Sequence, residues 1–284
     1  MNHPLPEPLI QPVQTVTDLV SPAPAAALAA TLDSGSKPAL GDALPPLWHW
    51  LYFWSAAPQV ELGPDGHPHK GGFLPDLGLP RRMAAGGRMT FNAPLAIGAQ
   101  AHRVSRVLRI ENKAGRSGRL AFVTVEHEII ADGVTAIREE QDIVYRESTQ
   151  PGQQPGPAST QAPADVHADW QREITPTEAL LFRYSALTFN GHRIHYDRDY
   201  ARNVEGYPDL VVHGPLIATL LLDTVARFAP DAVVREYRYK AVRPTFLGHA
   251  FTLCGRRSAD GQTIELWAKD HEGRLTMSAR AVLA

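Results

Sequence analysis

A single cysteine, Cys254, is all the thiol that this chain of 284 residues offers. That excludes an internal disulfide and a cysteine-built zinc site. Its setting, Phe251-Thr252-Leu253-Cys254, marks it as an inert core thiol. An excess of one charge sign is also lacking: the formal net charge is -2, and only Arg81-Arg82 and Arg256-Arg257 are tight basic pairs. So weak a field gives nothing to draw in nucleic acid or an anionic membrane. No apolar run approaches the roughly 18 residues of a membrane helix. The stretch from Ala23 to Ala30 has no Lys or Arg before it, so it lacks the basic region of a secretion signal. The expectation is a cytoplasmic protein of a reducing compartment, with neither a nucleic-acid nor a membrane partner.

What the chain does have is material for a core. Hydrophobic residues make up 44%, enough to fold two domains of ordinary size without staples. Ser21-Pro22 opens a helix that runs to about Leu32. The aromatic run Leu47 to Trp54 reads as a buried helix, with a strand as the alternative. Trp48, Trp50 and Trp54 are expected to serve packing. Residues 62–90 are rich in Gly and Pro and read as a long loop. His67-Pro68-His69 within it lacks a third metal ligand at a fixed spacing, so no metal site is assigned there. From Met89 the hydrophobic period becomes two, and four segments up to Arg146 read as an antiparallel meander. Residues 148–166 have a linker's composition and cannot build a core.

The order then repeats. A helical start from Pro176 to Tyr184 leads into a polar loop, a short helix follows near Asp197 to Arg202, and an apolar helix runs from Gly214 to Phe228. Four strand candidates close the chain, with Asp260-Gly261 and Glu272-Gly273 as hairpin turns. Helix followed by antiparallel sheet, twice over, is an α+β arrangement. The domain reading is 1–147, a linker 148–166, and 167–284.

The segment Tyr184-Ser185-Ala186-Leu187-Thr188-Phe189-Asn190-Gly191-His192-Arg193-Ile194-His195-Tyr196-Asp197 concentrates proton-handling groups, and His213-Gly214-Pro215 opens the apolar helix soon after. This segment resembles the hydratase motif of the MaoC-like enoyl-CoA hydratases and dehydratases, with Ala201 six places after His195. Tyr239-Lys240-Ala241-Val242-Arg243-Pro244-Thr245 is similar as well. The likeness is closer to the long subgroup of mesaconyl-CoA and itaconyl-CoA hydratases and type 2 hydroxyacyl-thioester dehydratases. It extends into the first half at Leu44 to Trp48, Gly71 to Pro75 and Arg116-Ser117-Gly118. The resemblance implies a double hot-dog fold, each half a central helix wrapped by a curved antiparallel sheet. It also implies a lyase acting on an acyl-CoA or acyl-carrier thioester, with no metal and no cofactor beyond the coenzyme A of the substrate. Homodimer formation is a further expectation, since sheet edges invite pairing.

One departure matters. Asn190 stands where the wider family has an aspartate base, and an amide cannot take a proton near neutrality. His195 is therefore the expected proton carrier, since an imidazole titrates near neutral pH. Asn190 would orient water, or merely cap a turn. The Gly214 amide, at the positive end of a helix, would steady an enolate oxygen, or Gly214-Pro215 is only a helix start. His192, His213, Arg193, Tyr196 and Arg243 are the expected substrate contacts, with a supporting role the alternative for His192. Asp197 reads as a helix cap. The first half has no counterpart of residues 190–195 and is expected to be catalytically degenerate, completing the acyl pocket. Two other functions stay open: a thioesterase on the same scaffold, and a non-catalytic acyl-thioester binder.

Overall fold

The computed structural model describes residues 12–115, 118–147 and 167–284. The expected linker at 148–166, and Arg116 and Ser117, lie outside the described residues. In chain order the elements are β1 (Gln14–Leu19), α1 (Pro22–Leu32), β2 (Arg81–Phe91), β3 (Gln100–Gly115), β4 (Gly118–Ala131), β5 (Val134–Arg146), β6 (Trp170–Ile174), α2 (Glu178–Thr188), α3 (Arg198–Asn203), α4 (Gly214–Phe228), β7 (Val234–Ala241), β8 (Phe251–Arg257), β9 (Thr263–Lys269) and β10 (Leu275–Leu283).

All ten strands join one antiparallel sheet in the order β1-β3-β4-β5-β2-β7-β10-β9-β8-β6. The first-half strands meet the second-half strands along β2 and β7, where Gly86 pairs with Lys240 and Thr90 with Glu236. Glycine is required at this seam. A Cβ on Gly86 would lie 2.6 Å from the Tyr239 carbonyl oxygen, and one on Gly87 would lie 2.9 Å from the Tyr239 ring. Residues 81–88 are therefore strand rather than loop. Ala84-Ala85-Gly86-Gly87 has no β-branched side chain to announce a strand, and the close approach selects small residues instead.

Helix α4 lies in the core, packed on β8, β9 and β10. Leu216, Ile217, Leu220, Leu221 and Val225 are all buried, so the helix is apolar nearly all round. α1 starts as the sequence predicts, after Ser21 with proline in its first turn. Its C-terminal carbonyls are held from the other half: Arg227 donates to Leu32 O (3.0 Å) and Asp33 O (2.7 Å).

The aromatic run forms no helix beyond a single 3-10 turn over Trp48–Leu51. Leu47 and Phe53 sit at positive φ on either side, and the backbone turns to bury side chains in several directions. His49 Nε2 and Trp50 Nε1 approach the buried Glu139 carboxylate at 2.9 and 3.0 Å. Trp54 departs from the packing role: it is 42% exposed and stacks on Phe189, with ring centroids 5.2 Å apart. The long segment from residue 54 to 80 is irregular but anchored. Phe73, Leu74, Leu77 and Leu79 pack with Val107, Val123 and Tyr145 in a core cluster of their own.

Candidate active site

The polar motif bridges three short helices. α2 runs four residues beyond its expected end, and Phe189 closes it in the left-handed conformation. The chain then turns sharply. The Asn190 Oδ1 accepts the His192 backbone N–H at 3.0 Å, so the side chain does cap a turn. A 3-10 turn over Arg193–His195 follows, and Asp197 caps α3 by accepting from Tyr200 N at 2.9 Å.

This arrangement turns His195 inward. Its Nδ1 lies 2.7 Å from the Val211 carbonyl oxygen, which can only accept, so Nδ1 carries the proton and Nε2 keeps its lone pair. Burial is the main influence on the ring and pushes its pKa down to about 3, opposed by the Val211 hydrogen bond. The ring is therefore neutral and basic at Nε2. His213 stacks beneath it, with centroids 3.6 Å apart, and is hydrogen-bonded to Ser185 Oγ at 2.8 Å.

His195 borders a cavity of about 1260 Å³, enough for an acyl thioester and part of its carrier. Asn190, His192 and Gly214 share this wall, with Lys240 to Thr245 on another side. The first half supplies the rest, including Trp54, His67, Phe73, Arg82 and Phe122. Gly214 opens α4, where first-turn N–H groups have no partner within the helix. A Cβ placed on Gly214 would meet nothing within 4 Å. Protein packing does not demand glycine here; the space beside it is the cavity.

Three expected substrate contacts take other places. Arg193 is not part of the cavity wall. It pairs with Asp197 at 2.7 Å, donates to Pro64 O at 2.9 Å and lies over the Tyr200 ring. Tyr196 is 52% exposed, and its hydroxyl donates to Gly191 O at 3.0 Å. His213 is fully buried and supports His195 from below rather than facing the cavity. In each case a neighbour within the motif captures the polar group. His192 and Arg243 do line the cavity. Burial, followed by the charge of His67, pushes the His192 pKa down to about 3.

Residues 63–69 bring further partners to the motif, and of these only the imidazoles of His67 and His69 stood out in the sequence. Gly66, at φ +84°, lies against Gly191, where an added Cβ would come within 2.0 Å of the Gly191 carbonyl oxygen. Arg193 N donates to Asp65 O at 2.9 Å. The His67 and His192 rings are 4.2 Å apart, and His192 and His195 are 5.5 Å apart. Asp65, His67 and His192 each bring a potential metal-ligand atom within 4.8 Å of the others. His69, the second imidazole of His67-Pro68-His69, is not among the three.

A helix buried against a curved antiparallel sheet, with an imidazole and a glycine amide facing one cavity, defines the class. Solved structures share the fold. HtdX of Mycobacterium tuberculosis aligns with a TM-score of 0.64 at 18% identity, over 94% of this chain and 99% of its own. A MaoC-like dehydratase from Phytophthora capsici aligns with a TM-score of 0.69 at 14% identity, over 97% and 96%. The fold is the α+β hot-dog fold of the MaoC-like dehydratases.

Sequence comparison narrows the class. A family model described as hydroxyacyl-thioester dehydratase type 2 matches residues 47–247. A mesaconyl-C(4)-CoA hydratase of Chloroflexus aurantiacus is 46% identical over 95% of each chain. A mitochondrial type 2 hydroxyacyl-thioester dehydratase of Schizosaccharomyces pombe is 27% identical over 84% of this chain and 88% of its own. This chain belongs to the type 2 hydroxyacyl-thioester dehydratase family.

Proposed function

We propose that this protein reversibly hydrates an enoyl-CoA whose acyl group carries a carboxylate of its own, as mesaconyl-CoA does, with His195 as proton acceptor. It is a hydro-lyase. Adding water to an α,β-unsaturated thioester requires a base for the attacking water and stabilisation of the enolate that forms. The single observation that carries the reading is the His195 ring, fixed through Nδ1 and bare at Nε2, in one cavity with the first amide of α4. The Gly214 N–H and the positive end of the helix suit a thioester oxygen that gains negative charge. With Oδ1 engaged, Asn190 has its NH2 donors left to hold the water oxygen.

The carboxylate in the substrate is inferred from two things. One is the 46% identity to a hydratase named for a CoA ester of that kind. The other is the cavity wall, where Arg82 and Arg146 form no ion pair with a carboxylate among the described residues. Arg82 donates to Pro68 O at 3.0 Å and Arg146 to the Tyr207 hydroxyl at 3.2 Å. Guanidinium groups held by neutral partners keep the charge that a substrate carboxylate needs.

The test is hydration of mesaconyl-, itaconyl- and crotonyl-CoA, followed by loss of enoyl-thioester absorbance. The expected order of kcat/KM places a carboxylated substrate above crotonyl-CoA. Equal rates on all three would remove the carboxylate from the proposal. Wild-type turnover by His195→Ala would remove the mechanism. Free thiol released without loss of the double bond would identify a thioesterase instead.

A further inference from the structure

We propose that the Asp65–His67 pair, carried by the first half of the chain, is the second proton-handling group of the hydration, delivering the proton that the substrate's α-carbon receives. This rests on the hydratase reading above. Hydration moves two protons: one leaves water and one arrives at Cα. His195 accounts for the first. The family's aspartate is Asn190 here, which cannot titrate, and Asp197 is taken up by Arg193 and the cap of α3.

His67 has the attributes the missing group needs. It lines the same cavity as His195. Its Nδ1 meets Asp65 Oδ2 at 3.0 Å, and its backbone N–H donates to Asp65 Oδ1 at 3.0 Å. One carboxylate therefore fixes both the ring and the backbone beneath it, leaving Nε2 for chemistry. A carboxylate behind an imidazole orients it and stabilises its protonated form. Burial raises the Asp65 carboxyl, but the hydrogen bonds and charge of His67 more than reverse this, so it stays ionised. Among the described residues His192 has no comparable carboxylate partner, and burial pushes it toward neutrality.

The placement is built into the backbone. Gly66 and Gly191 pack face to face, so closely that a Cβ on Gly191 would lie 2.8 Å from the Gly66 oxygen. Together with the Arg193–Asp65 backbone bond, this sets His67 against His192, which in turn stands edge-on to His195. A metal ion at the same three residues is the weaker alternative, since both Asp65 oxygens already accept from His67.

The step balances. In the proposed cycle the proton to be delivered starts on His67 against ionised Asp65, and His195 starts neutral. The water oxygen bonds to Cβ as its proton passes to His195 Nε2, and the π pair of the double bond moves into an enolate. The enolate re-forms the carbonyl as Cα takes the proton from His67 Nε2. His195 then gives its proton to solvent water and His67 takes one up from it, so no net proton or electron is consumed.

The experiment measures hydration by the full chain, as wild type, His67→Gly, His67→Gln and Asp65→Asn, with and without added imidazole. Wild-type turnover on mesaconyl-, itaconyl- or crotonyl-CoA checks the underlying reading; none on any of them overturns both proposals. With active wild type, His67→Gly and His67→Gln should lose kcat by about 10²- to 10³-fold, a general acid's usual share. KM should change little, and Asp65→Asn should fall by about tenfold in kcat. Imidazole should restore His67→Gly at least tenfold and leave His67→Gln unchanged, which a purely structural role would not produce. His67→Gly that keeps activity within threefold of wild type, or that imidazole does not restore, overturns the pair alone. Wild-type turnover lost on dialysis against chelator and regained with zinc overturns it in favour of a metal triad.

Discussion

Replacing Gly214 by alanine separates what this position does for the fold from what it does for the reaction. The backbone there needs no left-handed φ, and an added Cβ meets no atom within 4 Å. Alanine is also the better helix former, by up to about 1 kcal/mol in a helix interior and less in the first turn. The variant should therefore fold, with a melting temperature unchanged or raised by about 2 °C. Its activity should move the other way. The new methyl occupies the space beside the first amide of α4, where the thioester oxygen must approach. Displacing a reacting group by about 1 Å costs on the order of 10²-fold, and losing one oxyanion donor costs about 10²- to 10³-fold. Thermal melts and the enoyl-thioester assay on the same preparation read both effects. Wild-type hydration in Gly214→Ala would refute the placement of the oxyanion at this amide. A melting temperature several degrees lower would refute the claim that the position is open.

Arg82→Ala should raise KM for mesaconyl-CoA by tenfold or more while crotonyl-CoA, lacking the carboxylate, changes little; parallel loss on both would count against a carboxylate subsite. Glu139→Gln leaves His49 and Trp50 facing a neutral amide in a buried site and should cost about 3 kcal/mol, read by denaturant unfolding. Burial raises the Glu139 carboxyl, but hydrogen bonds from His49 and Trp50 and nearby His charge outweigh it and bring it to about 2. A carboxyl depressed on folding contributes its stability above its unfolded value of about 4.3; that contribution is lost as pH falls from there toward 2. Wild type should thus lose stability across that window more steeply than Glu139→Gln. Gly86→Val drives a branched side chain into the Tyr239 carbonyl and should abolish soluble, cooperatively melting protein, whereas Gly133→Ala, in an open turn, should not.

Several parts of this structure could be read before folding. The helix over 214–228 announces itself because its apolar residues surround the axis, and Asp197 because a short polar side chain before a helix has one obvious use. The strands from 100 to 146 were legible from their apolar period and the turns between them, although bulges in β3 and β4 interrupt the alternation. Residues 81–88 were hidden because Ala and Gly were selected by the neighbouring strand, not by their own propensity. Strand β1 and strand β6 are short and lie at the two edges of the sheet, where partial burial leaves a weak pattern. At the site, His195, Asn190 and Gly214 were legible from local spacing as neighbours on one cavity. Asp65 and His67 were not, because their meeting with the motif is a contact between segments about 129 positions apart, as for Arg193 and Pro64. Arg193 and Tyr196 misled for the converse reason: chemistry-bearing side chains beside a motif are often spent on holding its shape.

The join between β2 and β7 also bears on how molecules pass in and out. Parting the halves there would break a run of ladder bonds and uncover Tyr239, which is 5% exposed. The irregular wall of residues 54–80, tied to the motif by bonds such as those from Arg193 to Asp65 and Pro64, is the side through which we expect traffic. Product departure would then be set by how often that wall lifts, and a glycine-for-proline change within it should be felt in release before it is felt in bond making.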